Sequence, residues 1–375
     1  MELEVSRREY TAPIDIDILA ASITDVQRES GEIPWHVGGK TDPWDHVESA
    51  IGLTIGGFYR EARNAFQWLA DTQLEDGSWY SAYRNGEPED MTKESNMSSY
   101  IAVGLFHYYL VTRDTRFLAT MWPAMKAAID FTVSLQAPGG EVYWAQSPDG
   151  EIDRMALLTG SSSIYMSLKC ALTIAYLLGK NEPGWQKAFA LLGEAIRNRP
   201  EAFNKEKERF SMDWFYPILS GAVTGKNARE RIKRSWDIFV VEDLGVRCVS
   251  DEPWVTMAET SELALTLVAM GNTGLAEMFL KWIADKKFDD GTYWCGVTFP
   301  DGVIWPEEKI TWTNAAVIMA VDAVYNITPA SQLFKHTFWS RYHESLSFPR
   351  RFFSTAAQHL NALLNVEEEP VLSTK

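Results

Sequence analysis

Carboxylates recur at helical spacing beside tryptophans. In TDPWDHVES, Asp45 and Glu48 stand three residues apart, and Trp44 lies one turn before Glu48. On a helix both carboxyl groups then share one face with an indole beside them. AETSEL repeats the spacing with Glu259 and Glu262, MDW sets Asp213 against Trp214, PEEKITW places Glu307 and Glu308 ahead of Trp312, and Glu94 precedes SNMSSY. Carboxyl groups in different surroundings can divide the roles of acid and base, one keeping its proton through burial or a neighbouring negative charge. Flat, partly polar aromatic side chains suit the faces of sugar rings. Such a set fits cleavage of a glycosidic bond, and inverting hydrolysis needs its acid and base roughly 6.5–9.5 Å apart. Asp45, Glu259 and Glu307 lead the set because each lies beside a tryptophan or a loop turn. His36 and His46 are read either as groups that orient an acid or a sugar hydroxyl, or as structural histidines. Every acid also has a plainer reading as a helix cap, because helix N-termini carry free N–H groups and partial positive charge.

These residues fall at the starts of six apolar segments rich in small residues: 44–57, 96–112, 160–179, 213–224, 258–271 and 312–327. Helices apolar almost all round must be enclosed on every side. More amphipathic segments follow them, beginning near Arg60, Arg116, Trp185, Ala228 and Leu275. A first helix from Ile16 and a tail helix around Phe334 to Tyr342 would complete an outer layer. Short glycine-marked turns join each inner helix to its outer partner, and long loops such as DGSW, SPDG, SDEPW and FPDG make the return. The repeat predicts an all-α (α/α)6 toroid of six helical hairpins over 1–343, with the long loops and the inner-helix N-termini on one face. Residues 344–375 read as a docking helix followed by an acidic tail.

Two resemblances follow from particular motifs. QLEDGSW at 73–79, preceded by Trp68 and Leu69, resembles the QW repeat of the terpenoid cyclase and protein prenyltransferase toroids, and WIADKKFDDGTYW is a degenerate second copy. PWDHVESAIGL, EARNAFQWL, QLEDGSW and RDTRFLATMWPAMKAAIDF together resemble the six-hairpin glycosidases of the glucoamylase type. PEEKITWTNAAVI is similar to the segment in which those enzymes carry a proline, the catalytic base and a tryptophan-bearing inner helix. The resemblance covers roughly residues 34–327. It implies Glu307 as general base and Asp45 as a sugar-hydroxyl ligand. Where those enzymes carry the general acid, this chain has VYWAQSPDG, with Ala145 and Gln146 in place of acids. Asp149, Asp213 and Glu259 are then the candidates for the acid, with Asp213 and Glu259 preferred. Trp44, Asp45, His46, Glu48, Glu94, Trp214, Glu262, Glu308 and Trp312 form the expected substrate grip.

Composition narrows the ligand. The 375 residues carry a formal charge of -16, which repels nucleic acid and anionic membranes. With 46% hydrophobic residues the chain can bury a large core. Cys170, Cys248 and Cys295 have no metal or disulfide spacing and read as reduced thiols, and neither metal nor organic cofactor is implied. The segment MELEVSRREYTAPIDID lacks the apolar run of a signal peptide, and no stretch is long enough to span a membrane, so a cytoplasmic protein is expected. The predicted activity is glycoside hydrolysis of an oligosaccharide or glycoconjugate. The alternatives are a terpenoid cyclase or prenyltransferase-like enzyme, although DxDD and DDxxD strings are missing, and a glycan-binding toroid without catalysis.

Overall fold

The computed structural model describes residues 7–345; the expected docking helix and acidic tail lie outside the described residues. The inner helices are α2 (Pro43–Gly56), α4 with α5 (Ser95–Ser99 and Ile101–Thr112), α7 (Leu158–Leu177), α9 (Ser211–Leu219), α11 (Met257–Ala269) and α13 (Thr311–Tyr325). Each packs on the next and α13 returns to α2, so the inner ring closes. The outer helices are α1 (Ile16–Val26), α3 (Tyr59–Thr72), α6 (Thr115–Ser134), α8 (Pro183–Asn198), α10 (Gly225–Phe239) and α12 (Thr273–Ile283). Burial explains the division. Every residue of α11 is buried, whereas α10 buries only Ala228, Ile232 and Phe239 and turns its charged face to solvent.

The first helix alone completes the outer layer, for α1 lies against both α2 and α13. The N-terminal strap and the last hairpin are tied together where Thr311 N–H donates to the Trp35 carbonyl (2.7 Å) and Thr311 Oγ1 to that of Pro34 (2.8 Å). The tail helix, α14 (His336–Ser345), departs from expectation. Instead of joining the outer layer, it reaches three inner helices at a distance from their N-termini. Trp339 stacks on Phe106 of α5 with ring centroids 5.6 Å apart, Lys169 Nζ of α7 lies 4.8 Å from the Trp339 ring, and the His336 ring meets the Ile218 carbonyl of α9 at 2.7 Å. Its aromatic face finds apolar partners there that an outer position would leave in water.

The long return loops also hold more order than expected. Three small antiparallel sheets form in them: β1 (Lys40–Thr41) with β2 (Ala82–Arg84) and β3 (Glu87–Asp90); β4 (Lys93–Glu94) with β5 (Tyr143–Gln146) and β6 (Ile152–Ala156); and β7 (Val240–Val241), β8 (Gly245–Arg247), β9 (Trp254–Thr256) and β10 (Gly296–Thr298) in series. They fix the loops over the inner-helix starts. β4 runs directly into α4, and β9 directly into α11.

The QLEDGSW motif proves to be a brace between outer helices. Gln73 Nε2 donates to the carbonyls of Gly77 and of Ala124 on α6, both at 2.8 Å. Gly77 has φ +89°, and a Cβ there would meet the Ala127 carbonyl oxygen at 2.3 Å, so the close approach requires glycine. The same device appears twice more. Gln27 reaches Gly31 and Glu61, and Gln136 reaches Gly140 and Ala188.

Candidate functional site

The α2 start is built by Asp42, whose Oδ1 accepts the Asp45 N–H at 2.9 Å as an N-cap, with Pro43 in the first helical turn. Its other oxygen accepts Trp35 Nε1–H at 2.7 Å. Asp42 is therefore fixed beside Asp45. Burial holds the Asp45 carboxyl well above the ordinary carboxylate range, and the negative charge of Asp42 and a hydrogen bond to it add to the effect. Lys40 opposes this more weakly. Asp45, half-buried at the mouth, is thereby biased toward its protonated form.

On α11 the matching position is Glu259, which accepts a hydrogen bond from the Thr256 hydroxyl at the end of β9. Cys248 and Cys295 lie against it, and the Cys295 thiol is pushed up to about 12 by burial, then by Glu259, with smaller contributions from Glu308 and Asp45. Cys295 therefore marks where α2, α11 and the loop before α13 converge. The helices α2 and α11 both flank α13, so Asp45 and Glu259 belong to inner helices separated by one other.

One turn deeper stand Glu48 and Glu262. Glu48 accepts Trp44 Nε1–H at 2.8 Å and the Tyr100 hydroxyl at 3.4 Å; Glu262 accepts the Tyr216 hydroxyl. Burial raises Glu48 to about 7, with Asp42 and Glu259 contributing, and raises Glu262 well above its usual range, with Glu48 contributing. Trp44 stacks on Tyr100 at 5.1 Å and tilts against Tyr216 at 5.8 Å. Beneath them Tyr100, Tyr216, Glu48 and Glu262 roof a cavity of about 20 Å³ whose lower lining includes Leu219, Met319 and Phe334. It has room for about one water. The mouth carboxyls thus stand one turn above a small space lined by aromatic and carboxylic side chains.

The remaining expected residues divide. Glu94 sits at the β4–α4 junction opposite Ala145 in the β4–β5 register, accepts the Ser81 hydroxyl at 3.2 Å, and is raised to about 7 by burial and by Asp42 and Asp90. An acid thus stands across the sheet from the place where the glucoamylase pattern has lost one. Trp312 packs edge-on against Trp35 at 5.8 Å, and its indole N–H has no partner among the described residues. Glu307 and Glu308 are both exposed on the loop before α13, and of the two it is Glu308 whose charge reaches Cys295. Asp149 is exposed in the turn between β5 and β6.

Three expectations are corrected. His46 is fully buried, with Nδ1 accepting the Ile33 N–H and Nε2 donating to the Ala65 carbonyl, so it pins α2 to its surroundings and cannot reach substrate. Trp214 faces away from the mouth, donating to the Arg231 carbonyl and stacking on Phe239 of α10. Asp213 goes with it. Its Oδ1 accepts the Thr159 N–H and hydroxyl, and the charges acting on it are Arg231 and Glu208 rather than the mouth carboxyls. For Asp213 and Trp214 the physical reason is the first turn of α9, which begins at Ser211 and packs these two side chains against the start of α7 and against α10. Asp42, Trp35, Tyr100 and Tyr216 were missed. Asp42 was legible as an N-cap before Pro43; the tyrosines carried no signal beyond apolar helix composition.

No protein-family profile matches the chain. Over 316 residues it is 49% identical to the MMP endo-(1,4)-3-O-methyl-alpha-D-mannosidase of Mycolicibacterium hassiacum, a match spanning 84% of this chain and 88% of that enzyme. The chain belongs to the family of that enzyme. It is a glycoside hydrolase, and neither the isoprenoid chemistry nor the silent glycan-binding role is favoured. Solved glycosidases share the fold. A glycosidase variant in complex with glucose superposes with a TM-score of 0.63 at 15% identity, over 82% of this chain and 96% of that one. The GH63 mannosylglycerate hydrolase of Thermus thermophilus, also with glucose, gives 0.64 at 11%, over 81% and 99%. At such identities these two speak for the toroid alone.

Proposed function

We propose that this family member hydrolyses internal α-(1,4) linkages of a 3-O-methylated mannose polymer with inversion, using Asp45 as general acid and Glu259 as general base. The observation that carries the assignment is the environment of Asp45, a half-buried carboxyl held beside the Asp42 carboxylate at the mouth. A protonated carboxyl there can deliver its proton to the departing glycosidic oxygen. Glu259, oriented by Thr256, takes the proton from the attacking water. The two roles fall on helices set apart by α13, a placement that favours a water-sized gap between the carboxyls over the closer pair of a retaining enzyme. Trp44 offers its face to the sugar while Glu48 holds its indole, and the small floor cavity keeps the ring from sinking deeper. Trp312 and Trp35 extend the aromatic surface to the α13 side. The polymer itself is taken from the named activity of the Mycolicibacterium relative.

Proton NMR of the first product formed from an α-(1,4)-linked 3-O-methylmannose oligosaccharide tests this reading. Inversion releases the β-anomer before mutarotation. Initial release of the α-anomer, or no cleavage of that substrate, would reject it.

A further inference from the structure

A second cavity lies in the wall of the toroid, away from the mouth carboxyls. It measures about 350 Å³ and is enclosed by the first turn of α9, the exposed side of α10, the start of α7 and the loop at 200–208. That size suits a small ligand. Asp213, only 4% exposed, lines it, and while Oδ1 is held by Thr159, Oδ2 is buried with no hydrogen-bond partner among the described residues. A buried carboxylate oxygen left unpaired is costly, so the position calls for a donor. Arg231 lines the same cavity but makes no hydrogen bond to this oxygen. Its Nε and one terminal nitrogen already donate to the Trp214 and Asp213 carbonyls at 2.8 and 2.6 Å.

The rest of the lining fixes the kind of donor. Two arginines, Arg231 and Arg234, face two acids, Asp213 and Glu208, so the cavity has no net formal charge and favours neither an anion nor a cation. Ser235 and Ser250 add hydroxyls, and Ile196, Phe203 and Ile238 form an apolar wall. A neutral ring with hydroxyls on its edge and C–H groups on its face satisfies all three features. We infer that this wall cavity is a second glycan-binding site, which holds a neutral pyranose unit with a sugar hydroxyl donating to Asp213 Oδ2 and Arg234 donating to a ring or hydroxyl oxygen. The choice of sugar as ligand rests on the proposed glycan activity; the existence of the site does not. An enzyme that cuts within a polymer gains from a second hold on the same chain, because a tethered segment raises the effective concentration of the rest at the cleft.

The test uses the full chain with methyl α-D-mannopyranoside, titrated calorimetrically and soaked into crystals. The expected result is sugar density against Asp213 Oδ2 and a binding event weakened at least tenfold in Asp213→Asn and in Arg234→Ala, with cleavage of a short oligosaccharide unchanged in Arg234→Ala. Arg234 is exposed, so its variant remains informative should Asp213→Asn fold poorly. The inference is overturned by an empty wall cavity at saturating sugar, by identical titrations of wild type and Arg234→Ala, or by sulfate occupying the cavity in preference to sugar. Glu259→Gln separates the two readings: it should abolish turnover and leave the wall-site titration intact, so either can fail alone.

Discussion

Glu48 shows what the cleft asks of single residues. It is 4% exposed, shares its surroundings with Asp42 and Glu259, and titrates near 7 in the folded protein against 4.5 ordinarily. The folded state therefore binds an extra proton between about pH 4.5 and 7, and Glu48 withdraws stability as pH rises through that window. Glu94 and Asp322, both raised to about 7, act in the same sense. Glu48→Gln retains an acceptor for Trp44 and Tyr100 but removes the titration. Urea unfolding should show the variant equal to wild type near pH 5 and more stable by about 2 kcal/mol at pH 8. Parallel loss of stability in both proteins would remove this reading of Glu48. The Asp45–Glu48 and Glu259–Glu262 pairs were legible in the sequence because i, i+3 spacing fixes a shared helix face whatever the tertiary structure. The sidedness of Asp213, Trp214 and His46 was not, since it depends on where a helix begins and which neighbour it meets.

At the scale of elements, the braces decide how the outer helices sit. Gln73, at the end of α3, donates to the Ala124 carbonyl of α6 and to the Gly77 carbonyl of its own turn, and Trp79 Nε1–H donates back to the Leu69 carbonyl of α3. Gln73→Ala should cost about 1–3 kcal/mol in chemical unfolding, since two carbonyls lose their donor. Gly77→Ala should cost more, because a left-handed backbone and a 2.3 Å approach to the Ala127 carbonyl must both give way. Equal stability of Gly77→Ala and wild type would contradict the account of the brace. The QLEDGSW copy was visible because tryptophan and glycine accompany the glutamine. The copies at Gln27 and Gln136 were hidden, as each keeps only glutamine and a glycine four residues on. Hydrophobic periodicity likewise revealed the inner helices yet said nothing of the small sheets, whose strands run only two to five residues.

As a whole molecule the toroid sets the starts of α2 and α11 on either side of α13 and closes the space beneath them. The (α/α)6 ring was legible from six repeats of one apolar pattern. The position of α14 was not, because an amphipathic helix with an aromatic face reads the same on the outer layer as across the far side of the ring. Ring closure also explains why the loop carrying Glu307 and Glu308 stands in solvent while Glu259 is enclosed, since β9 delivers α11 straight into the interior. The most direct measurement is therefore turnover of the α-(1,4)-linked 3-O-methylmannose oligosaccharide by Glu259→Gln and Glu307→Gln side by side. The expected result is a fall in kcat on the order of a hundred- to ten-thousand-fold for Glu259→Gln, with Glu307→Gln close to wild type. The reverse order, with Glu307→Gln inactive and Glu259→Gln competent, would contradict the central claim and return the base to the loop before α13.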